Sequence, residues 1–110
     1  MIVNAVLTQL VPPPVADGSG GFQSPAATQS LAIDCTLDPH SLTRRLVLDG
    51  DEIDVEATAY VPLPVSVGFA TGQTLSFGYG GATVGPLRVL RAQMFVHLNG
   101  ESHWQIFLKK

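Results

Sequence analysis

This chain is short of charge, of cysteine and of long apolar runs, and each shortage excludes something. Only 14% of its 110 residues are charged, against about 25% in ordinary soluble domains. Six Lys and Arg stand against nine Asp and Glu, a net charge of −3. Phosphate binding rests on positive charge, so a nucleic-acid binder of the basic type is not expected. The single cysteine, Cys35, rules out an intramolecular disulfide framework. No segment reaches the roughly 18 consecutive apolar residues of a membrane helix, so no membrane partner is expected. The apolar start, Met1 to Val11, has no Lys or Arg before it and runs into Pro12-Pro13-Pro14; it does not read as a signal peptide. Synthesis in the cytoplasm is the expectation.

What the chain does have is apolar content, 45% of residues with a mean hydropathy of +0.27, so wholesale disorder is not expected. Its length fits one domain and leaves nothing for a second. Eleven Gly and eight Pro punctuate it too often for long helices. Residues 2–11 alternate imperfectly and read as a strand with Val3, Ala5, Leu7 and Val11 on one face. Residues 12–30, rich in Pro, Gly, Ser and Ala, form the longest irregular stretch. Such a loop is either a loose connector or a segment that orders on a partner, with Phe22 as its anchor. Residues 31–37 alternate cleanly and put Leu31, Ile33, Cys35 and Leu37 on the core side. Asp38-Pro39 fits either a capped helical turn or a tight turn.

The clearest hairpin lies at 42–60. Asp49-Gly50 is a two-residue turn signal. That loop length pairs Leu48 with Asp51, Leu46 with Ile53 and Arg44 with Val55 on a mostly apolar face, and Val47 with Glu52, Arg45 with Asp54 and Thr43 with Glu56 on a mostly charged one. A slip of one residue destroys this coherence. Pro62 and Pro64 bend the chain or place it at an edge, and short apolar segments follow at 65–70 and 73–79. Residues 87–98 suit a helix on propensity alone, but Pro86 before them and Asn99-Gly100 after them favour a strand and hairpin into 102–108. A two-residue turn there sets Phe95 opposite Trp104. About seven short antiparallel strands with long loops mean an all-β domain, a small barrel or sandwich.

The residues with chemistry are few. The carboxylates Asp49, Asp51, Glu52, Asp54 and Glu56 fail the calcium-loop pattern, because the glycine and the last glutamate fall at the wrong positions. They read as a solvated strand face, or as an acidic wall at an interface or channel. His40, His97, His103 and Cys35 offer no close pair on one strand face, so no metal site is assigned. No nucleophile elbow is present, and the glycines of 78–85 match neither a P-loop nor a dinucleotide fingerprint; they read as a hairpin tip or loop. No cofactor and no catalytic residue is nominated. The last hairpin carries large apolar side chains on both faces, with Phe95, Trp104, Ile106 and Leu108 on one and Met94, Val96, Leu98 and Phe107 on the other. An antiparallel sheet needs only one buried face, so either a neighbour or a loop of the same chain covers the second.

From Leu46 onward the order of features is "RLVLDGDEIDVEATAYVPLPVSVGFATGQTLSFG", a glycine loop, then "PLRVLRAQMFVHLNGESHWQIFLKK". With Thr58 to Pro62, Gly72 to Leu75, Arg88-Val89 and Lys109 as its markers, this stretch resembles the head-to-tail connector proteins of tailed bacteriophages, the stopper or head-closure group. The resemblance spans about 65 residues and is weakest over 1–40. It implies a small β-barrel in the virion that assembles as a six- or twelve-fold ring between portal or adaptor and tail, contacts neighbouring neck proteins, and is not an enzyme. It makes the loop carrying Pro12, Pro13, Pro14 and Phe22, and the glycine loop with Tyr79, Gly80 and Gly81, candidates for contacts. It would let Glu52, Asp54 and Glu56 line a lumen through which DNA passes without specific binding. A capsid-decoration or tail-terminator protein is the alternative within the virion, and a ligand-binding module or enzyme the alternative outside it.

Overall fold

The structure is a computed structural model that describes the backbone of residues 3–13, 15–16, 22–23, 28–48, 51–96, 98 and 100–110, and the side chains of 3–13, 28–39, 54–96, 98 and 100–110. Its strands are β1 (Ala5–Val11), β2 (Val15–Ala16), β3 (Phe22–Gln23), β4 (Gln29–Leu48), β5 (Asp51–Pro62), β6 (Thr74–Tyr79), β7 (Ala82–Phe95) and β8 (His103–Lys109). Six of them close an antiparallel barrel in the order β1-β4-β5-β8-β7-β6, and β6 returns to β1. The expected all-β class holds, and of barrel and sandwich it is the barrel. β2 and β3 form a separate two-stranded pair, with Val15 opposite Gln23 and Ala16 opposite Phe22.

Alternation fills the interior. Leu7, Leu10, Cys35, Leu37, Ala57, Ala59, Val61, Leu75, Phe77, Leu87, Val89, Ile106 and Leu108 are buried in one cluster. Each large side chain taken fully out of water contributes about 1.5–3 kcal/mol. Ala57 and Ala59 on β5 are small side chains in the same buried cluster as Phe77. The connection from β5 to β6 closes one end. Phe69 from this segment is buried and meets Trp104 edge-on at 5.4 Å. Hydrogen bonds tie the segment down: Leu63 N donates to Ser102 O, Gly72 N to Val89 O, and Thr71 Oγ1 to Leu90 O.

Three registers differ from the simple alternation of the sequence. In β1 a bulge between Leu7 and Gln9 shifts the inward set, so Leu10 is buried in place of Val11; Val3, before the strand begins, is exposed. An extra residue reverses the side-chain parity beyond it. In β7 a second irregularity between Val89 and Arg91 does the same. Phe95 therefore pairs with His103, and Met94 with Trp104, instead of Phe95 with Trp104. Phe69 already occupies the barrel end against Trp104, so that place is not open to Phe95. Asp38 and Pro39 turn nothing: β4 runs straight through them, opposite Thr58 and Ala57. Pro39 lies beyond the stretch of β4 that pairs with β1, so its missing N–H costs no ladder bond. Asn4 extends the β1 side instead, with Nδ2 donating to Leu37 O at 2.9 Å and Oδ1 accepting from Leu37 N at 2.7 Å.

Two hairpins follow the sequence closely. β4 and β5 pair Arg44 with Val55, Arg45 with Asp54, Leu46 with Ile53, Val47 with Glu52 and Leu48 with Asp51, the register of a two-residue Asp49-Gly50 loop; the turn residues themselves lie outside the described residues. The predicted Thr43–Glu56 pair is absent because an irregularity separates Pro39 from Arg44. β6 and β7 meet at Gly80-Gly81, where φ values of 60° and 81° suit a type I′ turn. The glycine stretch is thus a tight turn between strands, with Gly78 and Thr83 already paired.

Candidate functional site

Following the register around the wall gives the barrel two unlike ends. One end gathers the start of β1, the end of β6, the start of β7, the end of β8 and the outer parts of β4 and β5. Here β4 and β5 leave the wall. β8 pairs with β5 only as far as Ala57, and among the described residues 44–48 and 51–55 pair with each other alone. The result is a two-stranded arm. At its base Val55 is fully buried, and the side chains of 44–48 and 51–53 lie outside the described residues. The arm and its turn carry Asp49, Asp51, Glu52, Asp54 and Glu56, five of the nine acidic residues in the chain.

Beside the arm lies a row of the opposite sign. Arg88 on β7 is directly opposite Lys109 on β8, and the buried Leu87, Val89 and Leu108 around them point inward, so both basic side chains face out. Arg88 and Lys110 are exposed and Lys109 is half-buried. Arg91 belongs to the same wall and donates from Nε and Nη2 to the Gln93 side-chain oxygen at 3.0 and 3.3 Å. Arg88, Arg91, Lys109 and Lys110 are four of the six basic residues. Lys110 N donates to Glu56 Oε2 at 3.1 Å, which fixes the C-terminus to the base of the arm. The same end holds an open groove of about 510 Å³ between Val3–Val6 and 78–83. Its lining includes Tyr79, Gly80 and Gly81 but no acid, base or thiol.

The opposite end is apolar. Leu98 is 99% exposed, Val96 70%, Met94 51% and Phe95 38%. Phe95 stacks on the His103 ring at 5.4 Å, and the Tyr60 ring lies 6.0 Å from that imidazole, tilted by 59°. The indole N–H of Trp104 is buried with no hydrogen-bond partner among the described residues. Phe107 does not belong with the exposed residues: it is 5% exposed, between Thr58 of β5 and Arg91 of β7. Pro12 and Pro13 are half-buried, and Pro13 sits so close to Gly72 that an added Cβ there would lie 3.1 Å from its Cβ. Pro14 and the Phe22 side chain lie outside the described residues, as do the side chains of Glu52 and His40 and all of His97. Asp54 and Glu56 are half-buried.

The expected core place of Cys35 is met. Its thiol is free and fully buried, and burial pushes it up to about 11. A thiol held that high is a poor nucleophile at neutral pH. Between pH 9 and 11 the unfolded chain releases this proton while the folded chain keeps it, so stability falls as pH rises through that window. Native protein at pH 8 should therefore resist a thiol reagent until denaturant unfolds it; stoichiometric labelling without denaturant would contradict the burial. No group of three His, Cys, Asp or Glu able to hold a metal occurs among the described residues, nor does any helix long and apolar enough to cross a membrane.

Sequence reasoning found the hairpin from the Asp49-Gly50 signal, and of its outer apolar set Met94, Val96 and Leu98 are exposed and Phe107 is not. It missed the Arg88–Lys109 row, whose members are 21 positions apart and meet only through the β7–β8 register. Comparison with known proteins adds nothing to these features: no family model, no curated protein and no solved structure matches the chain.

Proposed function

We propose that this chain is a structural subunit of a tailed-phage virion, a head-to-tail connector of the stopper or head-closure type, that works by assembling as a ring and not by catalysis. The observation that carries the reading is the arm: a two-stranded ribbon that leaves a filled barrel with no third strand beside it among the described residues. A lone two-stranded ribbon is marginal in water, and one whose sequence supplies Leu46, Leu48 and Ile53 gains most when a neighbour covers it. The exposed apolar residues at the opposite end give such a subunit a second surface for the proteins above or below it. The resemblance over residues 46–110 supplies the setting, with portal, adaptor and tail proteins as neighbours and the virion as location. The filled interior and the groove without an acid, base or thiol give a ligand-binding or catalytic reading less to work with.

Native mass spectrometry across a concentration series tests this. Six- or twelve-fold species that grow with concentration are expected. A trimer would move the reading to capsid decoration, and a chain that stays monomeric at every concentration would overturn assembly.

A further inference from the structure

We propose that the exposed apolar tip of one copy, Val96 and Leu98, seats in the groove at the opposite barrel end of another copy, as a contact that joins subunits. The inference rests on the assembly reading above and adds to it the two surfaces that meet: here the protein above or below a subunit is a second copy of it.

The tip leaves apolar surface in water. Val96 and Leu98 lie past the last residue of β7 and are 70% and 99% exposed. Phe95, stacked on His103, anchors the strand end from which they project. With Met94 and Phe95 they present on the order of 400 Å² of apolar surface, the scale at which a patch on a monomer is functional.

The groove is the concave counterpart. Val3 to Val6 form one wall, and the Gly80-Gly81 turn with its flanking residues forms the other. Its volume of about 510 Å³ is in the range that encloses a small molecule, so a few aliphatic side chains fit. An added Cβ at Gly80 or Gly81 meets nothing within 4 Å, which leaves that wall open to an entering side chain. The lining carries no charge, and the Asn4 amide is already engaged with Leu37 N and O. An aliphatic group entering the groove therefore strands neither a charge nor that amide.

Reach and area point to a second copy as the occupant. Tip and groove lie at opposite ends of β7, whose 14 residues extend on the order of 40 Å, so no copy fills its own groove. Two tips meeting each other would bury only about 800 Å² in total, short of the roughly 1,200 Å² at which stable interfaces begin. A tip enclosed by groove walls buries the lining as well as itself, and each subunit makes two such contacts, one at either end. A contact between two different surfaces repeats head to tail, and it closes a ring if the rotation allows.

The test uses the full chain with a thiol placed on either surface. Leu98→Cys and Thr83→Cys are made as separate proteins, mixed and oxidised; both positions are exposed, and buried Cys35 stays out of the exchange. The mixture should form mainly a disulfide between position 98 of one copy and position 83 of the other. A product dominated by 98–98 links would show tips meeting each other and overturn the proposal. Leu98→Glu and Thr83→Trp should each raise the concentration for half-assembly about tenfold or more, the first by stranding a charge in an apolar groove and the second by filling it. Resistance of Cys35 to a thiol reagent reports that these two variants are folded; one that fails this check is replaced by Leu98→Ser or Thr83→Tyr. If the unaltered chain forms rings and both variants assemble equally well, the tip contact is wrong and the ring reading stands. If the 98–83 link forms and the variants weaken assembly but the product is an open filament, the contact is right and the ring reading is wrong. A chain that stays monomeric and forms no 98–83 link overturns both.

Discussion

Replacing Phe77 by alanine should cost about 3–5 kcal/mol of stability, the range for emptying a buried aromatic site. Phe77 is fully buried on β6, opposite Leu7 of β1 and Val84 of β7. It is the largest of the fully buried side chains among the described residues. The neighbours that would have to close the gap are held in a ladder on both sides, so relaxation is limited and the cavity remains. A domain of this size is stable by only about 5–15 kcal/mol, so the variant would lose a large share of its margin. Urea or thermal unfolding of the monomeric form reads this directly. Phe77→Leu should retain most of the stability, because it empties far less volume. Val96→Ala is the control: 70% exposed in the wild-type chain, it should change stability by no more than about 0.5 kcal/mol. Equal losses at 77 and 96 would mean that the interior is not packed as described.

Gly85→Ala should be nearly as damaging, for a different reason. Gly85 has φ +123° and sits where the β6–β7 register shifts between Leu75 and Phe77. Such a backbone conformation costs about 1–3 kcal/mol for a residue with a side chain. Space is also lacking: an added Cβ would lie 2.8 Å from Leu75 O and 3.1 Å from Ser76 Cα, and both are backbone atoms. Strain and clash together should remove about 2–4 kcal/mol, because the bulge must open to admit one methyl group. Gly68→Ala provides the comparison. An added Cβ there meets nothing within 4 Å, and its effect should be small, with a gain of about 0.4–1 kcal/mol if the backbone accepts alanine without strain. Denaturant midpoints of the two variants measured side by side separate these cases, and a Gly85→Ala protein as stable as wild type would refute the crowding.

Much of this fold was legible in the sequence where local signals agreed with one another. The Asp49-Gly50 turn, the apolar face of Leu46, Ile53 and Val55 and the charged face of Arg45 and Asp54 all demand one register, and that register is found. Leu31, Ile33, Cys35 and Leu37 alternate without interruption and line the interior. The reading went astray where a strand carries an extra residue. The bulges near Thr8 and Leu90 leave no mark in composition, yet each exchanges inside for outside in everything beyond it. Pro39 misled in another way: proline normally marks a turn, but here it occupies a position whose N–H has no neighbour to bond. The candidate site was half legible. The acidic arm is local in sequence and visible there, whereas its basic counterpart exists only once β7 lies beside β8.

The closure of the wall also bears on how the protein behaves in concentrated solution. Aggregation by strand addition needs a row of unpaired backbone amides and carbonyls, and in a sheet that returns from β6 to β1 the body offers none along its pairs. The outer residues of β4 and β5 are the described part of the barrel sheet where a ladder runs on with both outer sides open. That segment is therefore where uncontrolled stacking would begin, and the acidic residues along it act as gatekeepers against it.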